Sequence, residues 1–213
     1  MTKEKDFYRE LPAGYREDKV VDAKSKKFTV YMNLAAVIMM IAVYVITDIV
    51  CSGRIILVDL AKTDGEEDIL KWYLTSVLLP LGIFVVASFA YIVLHELTHG
   101  VAYKVLTGEK LTFGFTKTVA YCGVPNIYVG KKTALIALLS PFLLFDLVFI
   151  IGIAIAGETT TGIIFRLLFA IHFGGCAGDL YDTILLIFKY RKGCLVKDDG
   201  PKQVFYVRTE TEE

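Results

Sequence analysis

The sequence has few of the residues on which several common kinds of protein depend. Its 213 residues include only three histidines and four cysteines, and its 23 basic residues are balanced by 23 acidic ones. A net charge of zero gives no support for a nucleic-acid partner or for an acidic one. No Cys-x-x-Cys pair occurs among Cys51, Cys122, Cys176 and Cys194. We therefore expect neither a disulfide framework nor a cysteine-based zinc site.

Long stretches of the chain also lack charged residues. Hydrophobic residues make up 55% of the sequence and the mean hydropathy is +0.55, whereas roughly 45–50% apolar residues are usual in soluble domains. An uncharged run of about 20 residues can cross the hydrocarbon layer as a helix. We predict four membrane spans, at residues 28–47, 75–103, 134–156 and 162–188. The first run begins too late and is too long for a cleaved signal peptide, so it should remain as an anchor.

The predicted fold class is an all-α membrane protein with about four transmembrane helices. Between the second and third helices, residues 104–132 are polar and punctuated by glycine. Weak alternation of apolar and polar residues at 111–116, 119–122 and 125–129 predicts a short β-hairpin-like loop there.

The charged ends of the chain define its predicted domain organisation. Residues 1–27 are predicted to be a solvated cytosolic segment, residues 28–188 a transmembrane domain, and residues 189–213 a cytosolic tail with one short strand at 204–207. Lysine and arginine are concentrated in residues 1–27, in 104–132 and after residue 188. This bias predicts a multi-pass protein of the cell membrane with both termini in the cytosol.

Two of the three histidines lie four residues apart, in a His-Glu-x-x-His motif formed by His95, Glu96 and His99. Because residues i and i+4 share one face of a helix, the two imidazoles can bind one metal ion. In zinc peptidases with this spacing, the glutamate is the general base for a water activated by the metal. We therefore predict Zn²⁺ as the cofactor and Glu96 as the catalytic base.

A catalytic zinc site needs a third protein ligand. The candidates are ionisable residues in or near the later spans, where such residues are costly: Asp146, His172, Asp179 and Asp182. At 1.5 Å per helical residue, Asp179 matches the depth of the histidine pair, while His172 lies nearer the midplane. His172 and Asp179 are one heptad apart and should share a face of the fourth span. Asp182 is expected to be solvated near the headgroups, and Asp146 and His172 are candidates to support the ligands.

Several segments together resemble the putative zincin peptidase family of bacterial multi-pass membrane proteins. They are His95 to Gly100, Phe113-Gly114-Phe115, Ala120-Tyr121-Cys122, Ser140-Pro141-Phe142 and the glycine-rich run from His172 to Asp179. The resemblance extends over about residues 11–200. That family is similar to site-2 proteases, which are intramembrane zinc peptidases with a His-Glu-x-x-His helix and an aspartate on a later helix.

The resemblance implies that His95, His99 and Asp179 bind zinc and that Glu96 is the base. One difference concerns the aspartate, which site-2 proteases usually place after Asn-Pro or before glycine. Here Asp179 lies between Gly178 and Leu180.

These features predict a membrane-embedded zinc metallopeptidase that hydrolyses peptide bonds of membrane or membrane-proximal substrates. A strand within residues 111–130 could hold an extended substrate by backbone pairing. Asn126 is a candidate donor to the oxyanion, although an asparagine after Pro125 also suits an ordinary turn. The expected partners are a protein or peptide substrate and the lipid bilayer, with no nucleic acid. The alternatives are a catalytically inactive zinc-binding scaffold or regulator and, less in keeping with four unrepeated spans, a transporter.

Overall fold

Helices form most of the protein, of which this computed structural model describes residues 7–52, 69–115 and 120–209. The α-helices are α1 (Lys26–Ser52), α2 (Ile69–Tyr73), α3 (Leu79–Thr107), α4 (Lys131–Ala156), α5 (Thr160–Gly175) and α6 (Ala177–Ile184). π-Helical segments follow α2 at Leu74–Leu78 and α6 at Leu185–Lys189.

Three helical segments in these ranges are long and apolar enough to cross a membrane. They are Lys26–Cys51, Leu70–Thr107 and Lys131–Ala156, and α5 with the helix that follows makes a fourth if the pair counts as one span. The predicted apolar helices are therefore present. The second continues through the His-Glu-x-x-His motif as predicted, but it is longer than predicted, because it begins before residue 75 and ends at Thr107.

The predicted fourth span is not one continuous helix. It is broken at Cys176, between α5 and α6, and three glycines lie within two residues of the break. Each glycine weakens a helix by about 1 kcal/mol relative to alanine, so a break is favoured here. The prediction that His172 and Asp179 share one face of an unbroken helix is therefore wrong.

Two antiparallel sheets correct the all-α prediction. The larger sheet has the order β1-β5-β6-β7-β2, and the smaller sheet is the hairpin β3-β4. The strands are β1 (Phe7–Tyr8), β2 (Tyr15–Asp22), β3 (Thr112–Phe115), β4 (Ala120–Gly123), β5 (Tyr128–Gly130), β6 (Leu195–Asp198) and β7 (Lys202–Arg208). The predicted hairpin is present as β3 and β4, and the strand predicted at 204–207 lies within β7.

The ends of the chain form much of the larger sheet. β2 pairs with β7 from Tyr15 opposite Arg208 to Asp22 opposite Lys202. β5 pairs with β1 and β6, and so does not extend the hairpin. The described parts of the N-terminal segment and of the C-terminal tail therefore contribute strands, which the prediction of a solvated segment missed.

The chain divides into two compact units. The first comprises residues 1–34, 92–143 and 176–213, and the second comprises residues 35–91 and 144–175. In the first unit, fully buried side chains such as Ile127 and Phe205 lie in a core shared by helices and sheet. The second unit has an aromatic core around Tyr91 and Phe149, and it also buries an ion pair between Asp48 and Arg166.

Candidate metal centre

The His-Glu-x-x-His motif lies within α3, close to the β3-β4 hairpin. The centres of the His95 and His99 rings are 4.9 Å apart, and both side chains are buried. A Cβ atom on the next residue, Gly100, would lie 2.7 Å from Cζ of Phe113 and 3.1 Å from Sγ of Cys122. Glycine at this position therefore lets the helix backbone approach the hairpin.

Three possible ligand atoms converge in the first unit. Oδ2 of Asp179 is 3.2 Å from Nε2 of His95 and 3.4 Å from Nε2 of His99. All three residues offer ligand atoms that lie within 4.8 Å of one another. A tetrahedral zinc ion with bonds of 2.0–2.1 Å separates its ligand atoms by about 3.4 Å. The spacing and the donor types therefore fit zinc.

The break before α6 positions the aspartate of this cluster. α6 begins at Ala177, and Asp179 lies in its first turn with a half-buried side chain. An acidic residue in the first turn interacts favourably with the helix dipole. The break thus creates a new helix N-terminus, and the Asp179 carboxylate lies where the α6 backbone favours a negative charge.

A proline in α4 explains the orientation of His99. Nδ1 of His99 is 2.8 Å from the carbonyl oxygen of Ala137. In a regular helix this oxygen would accept the N–H of residue 141, but Pro141 has none. His99 donates its Nδ1–H to the carbonyl that the proline leaves available, and Nε2 then faces the cluster with its lone pair.

We expect Pro141→Ala to weaken zinc binding about 10–100-fold, the usual effect of losing the hydrogen bond behind a ligating histidine. Alanine restores an N–H that competes for the Ala137 carbonyl, while the helix itself should become no less stable. Zinc affinity is measured by competition with a chromophoric chelator, and thermal unfolding is recorded in parallel. Pro80→Ala, in α3, is the matched control and should bind zinc like the wild type. Unchanged affinity in Pro141→Ala would contradict this role.

Asp182 differs from its prediction. The sequence predicts a solvated side chain, but only 3% of the residue is exposed, and Oδ1 has no hydrogen-bond partner among the residues that the structure describes. Because Asp182 follows Asp179 by three residues in α6, it turns back toward the same side of the helix. It is not a member of the cluster formed by Asp179 and the two histidines.

The two residues predicted to support the ligands pair with each other in the second unit. Nε2 of His172 is 3.1 Å from Oδ1 of Asp146, and Nδ1 is 2.9 Å from the hydroxyl of Tyr91. His172 is fully buried, and both of its ring nitrogens have partners. The pair is thus a hydrogen-bonded interior group, and its support of the ligands stays a prediction. Asn126 is exposed in the turn before β5, and its contact with substrate also stays a prediction.

The hairpin contributes a group that the sequence analysis missed. The backbone of Cys122, in β4, lies close enough to the half-buried carboxylate of Glu96 to interact with it electrostatically. Almost every residue has a backbone amide, so residue type does not show which amide approaches Glu96. The predicted hairpin is the one sequence feature that points to this group. All four cysteines lie in described residues and no disulfide joins them, as predicted.

A second missed group, which we call the Asp198 clamp, fixes β4 and consists of Tyr103, Asp198 and Gly200. The Asp198 carboxylate accepts the Tyr103 hydroxyl at 2.8 Å and the Gly200 N–H at 2.9 Å. Its backbone carbonyl accepts the N–H of Val124 at 2.9 Å, one residue beyond β4. Burial raises the pKa of Asp198 to about 6. The clamp therefore ties the motif helix, the end of β4 and the β6-β7 turn together.

Glycine is required on both sides of this contact. A Cβ atom on Gly123 would lie 2.5 Å from the N atom of Gly200, and Gly200 itself has a positive φ of 84°. The Asp-Asp-Gly sequence at 198–200 is an ordinary turn signal. It predicts the turn between β6 and β7 but not its contact with the hairpin.

Comparison with known families identifies the chain. The family described as "Putative zincin peptidase" matches residues 88–195, about half of the chain, and the match includes Glu96 and all three members of the cluster. Comparison with curated proteins and with solved structures found no match. The family implies a zinc cofactor, which the donor set of the cluster fits. The chain therefore belongs to the zincin peptidase family, and its family and its cluster together indicate a zinc metallopeptidase.

Proposed function

We propose that the protein is a membrane-embedded zinc peptidase in which His95, His99 and Asp179 hold the metal and Glu96 is the general base. The observation that carries this proposal is the convergence of three ligand atoms at tetrahedral spacing beside a glutamate. A chance His-Glu-x-x-His pattern would not require an aspartate at least 80 residues away to meet both histidines.

The residues of the site divide the chemistry between them. When bound, zinc lowers the pKa of a coordinated water toward about 7 and polarises the carbonyl of the scissile bond. Glu96 accepts a proton from the attacking water on its carboxylate and delivers it to the nitrogen of the leaving amine. The Cys122 backbone lies beside that carboxylate, and the Ala137 carbonyl holds His99 in the tautomer that leaves Nε2 available.

The surfaces of the long helices support placement in a membrane. Val86 and Phe89 on α3 are 70% and 65% exposed, and Ile155 on α4 is 82% exposed. Soluble proteins rarely expose continuous apolar surfaces of this kind, whereas a bilayer buries them. Cleavage of membrane or membrane-proximal proteins, near the cytosolic face, is the activity that such a placement favours.

The hairpin is the proposed support for an extended substrate. β3 and β4 form a sheet of only two strands in the described part of the chain, and the β3 residues Phe113 and Phe115 are exposed. An open strand edge can pair with the backbone of an unfolded segment. Because Cys122, on the same hairpin, lies near Glu96, a peptide paired there would lie close to the base.

Removal of the metal tests the proposal. The full-length protein, purified in detergent, is stripped with a chelator and assayed with a quenched fluorescent unstructured peptide. We expect hydrolysis to fall at least about a hundredfold and to return with one equivalent of Zn²⁺, but not with Mg²⁺. Protein treated with chelator that is already saturated with zinc is the control. Equal hydrolysis before and after complete zinc removal would refute the proposal.

A further inference from the structure

The first unit contains a strongly basic cavity that the peptidase chemistry does not use. Its volume is about 1630 Å³, and the described residues that line it include seven lysine or arginine side chains and no acidic one. The whole chain, by contrast, carries equal numbers of basic and acidic residues. Nearly a third of all its basic residues therefore face one cavity, which creates a positive potential there.

The basic residues come from four separate parts of the chain. They are Arg16 in β2, Lys131 and Lys132 at the start of α4, Lys189, Arg191 and Lys192 between α6 and β6, and Arg208 in β7. Nζ of Lys189 forms an ion pair with Oδ2 of Asp18 at 2.6 Å. Basic residues that only flank membrane spans are not required to lie close to one another in the folded protein. Here the five-stranded sheet and two helix ends bring them to one place.

Contacts with tyrosine hold part of this lining in position. The Arg208 guanidinium lies 5.7 Å from the centre of the Tyr15 ring, and its Nε donates to the Tyr15 hydroxyl at 3.3 Å. Lys131 donates to the carbonyl of Tyr190 at 3.1 Å. Within the described residues, no carboxylate forms an ion pair with Arg16, Lys132 or Arg191. Positive charge at the cavity is therefore only partly neutralised by the protein.

An apolar patch adjoins the charged lining and indicates which kind of anion the cavity suits. Leu135 and Ile136, in the first turns of α4, also line the cavity, and Ile136 is 40% exposed. α4 is one of the helices that could cross a membrane, and the cavity lies at its N-terminal end. A free inorganic anion gains nothing from exposed isoleucine, whereas the glycerol and acyl carbons of a lipid do.

We propose that this cavity binds the phosphate headgroup of an anionic phospholipid, with the lipid tail along the start of α4. Basic pockets at the ends of membrane helices are suited to such headgroups. The proposal rests on the membrane placement proposed above, but not on catalysis. A bound headgroup would hold the N-terminal end of α4 at the level of the lipid headgroups. It would therefore fix the depth of α4 in the bilayer.

Lipid titrations test the proposal. Purified full-length protein in an uncharged detergent is titrated with short-chain phosphatidylglycerol, short-chain phosphatidylcholine or inorganic phosphate, and thermal unfolding is recorded. We expect phosphatidylglycerol to raise the melting temperature at concentrations at least about tenfold lower than phosphatidylcholine. Inorganic phosphate should have little effect at the same concentrations. An equal response to phosphatidylcholine, or full replacement of the lipid by phosphate, would overturn the proposal.

Charge-neutralising variants locate the response. Lys132→Gln/Arg191→Gln removes two exposed charges, and we expect about 30-fold weaker phosphatidylglycerol binding, since each basic residue near an anionic headgroup adds about fivefold. Arg16→Gln/Lys132→Gln is a second pair and should behave alike, so that misfolding of one variant does not decide the result. Lys26→Gln/Lys27→Gln is the matched control at the start of α1, outside the cavity lining. It should bind as the wild type does.

The outcomes separate this proposal from the peptidase proposal. An equal loss of binding in the Lys26/Lys27 control would show general attraction to basic residues, and would overturn the cavity site. Glu96→Gln should keep the full response to phosphatidylglycerol, whatever its effect on hydrolysis. Peptide hydrolysis by a wild type that shows no lipid preference would refute the lipid site alone.

Discussion

Replacing Glu96 by glutamine is expected to lower kcat for peptide hydrolysis by about 10²–10⁴-fold, while the protein retains one equivalent of zinc. Glutamine keeps the size and the hydrogen-bonding shape of the side chain but cannot accept the proton from water. The proposed ligands are untouched, because their ligand atoms belong to His95, His99 and Asp179. Hydrolysis of a quenched peptide and metal content by atomic emission are measured on the same preparation.

The control for this variant is Glu158→Gln, an identical chemical change at an exposed residue between α4 and α5. It should hydrolyse the peptide at the wild-type rate. The experiment also separates an enzyme from a zinc-binding scaffold, because a scaffold has no hydrolysis to lose. Full activity in Glu96→Gln, with zinc bound, would mean that another group is the base.

Replacing Asp179 by asparagine is expected to weaken zinc binding by roughly a hundredfold or more. Complete four-ligand zinc sites have apparent binding free energies of about 10–16 kcal/mol, or about 3 kcal/mol for each ligand. Asparagine also removes the negative charge that lies 3.2 Å and 3.4 Å from the two histidines. Zinc affinity is measured by chelator competition, and hydrolysis at saturating zinc shows whether the remaining site still functions.

Asp182→Asn is the matched control, because it makes the same change three residues later in α6. Its side chain is buried but lies outside the ligand cluster, so zinc affinity should stay within about threefold of the wild type. The comparison also tests the assignment made from helix depth. Zinc lost by Asp182→Asn but retained by Asp179→Asn would identify Asp182 as the third ligand.

The sequence predicts the helices well because their signal is local. Apolar runs of about 20 residues coincide with α1, with residues 75–94 of the Leu70–Thr107 segment and with α4, where Asp146 is the one charged residue between 134 and 156. β2 has no comparable signal, since Arg16 to Lys19 are four consecutive charged residues and the pairing with β7 has an irregularity between Glu17 and Lys19. Its partner strand, β7, lies nearly 190 residues later in the sequence. Only the folded protein therefore shows that the two strands pair.

The candidate site was predictable in its chemistry but not in its supporting contacts. His95, Glu96 and His99 follow from helical spacing, and Asp179 was preferred from its depth along the fourth span. Asp179 does lie beside the histidines, although the depth comparison holds for a continuous helix and α6 begins anew after Cys176. The sequence shows Pro141, but nothing local in it shows that His99 takes the carbonyl that this proline leaves available. Contacts between distant backbone groups have no signature in residue type.

The Asp198 clamp also has a consequence for the order in which the protein is made. A ribosome completes the His-Glu-x-x-His motif, the hairpin and Asp179 before it reaches residues 198–200. Until those residues emerge, Val124 lacks the Asp198 carbonyl and Tyr103 lacks its carboxylate partner. A nascent chain can therefore possess every proposed ligand and the base while β4, the strand near Glu96, is still unanchored. β6 and β7 therefore set the moment at which β4, beside the candidate site, is anchored.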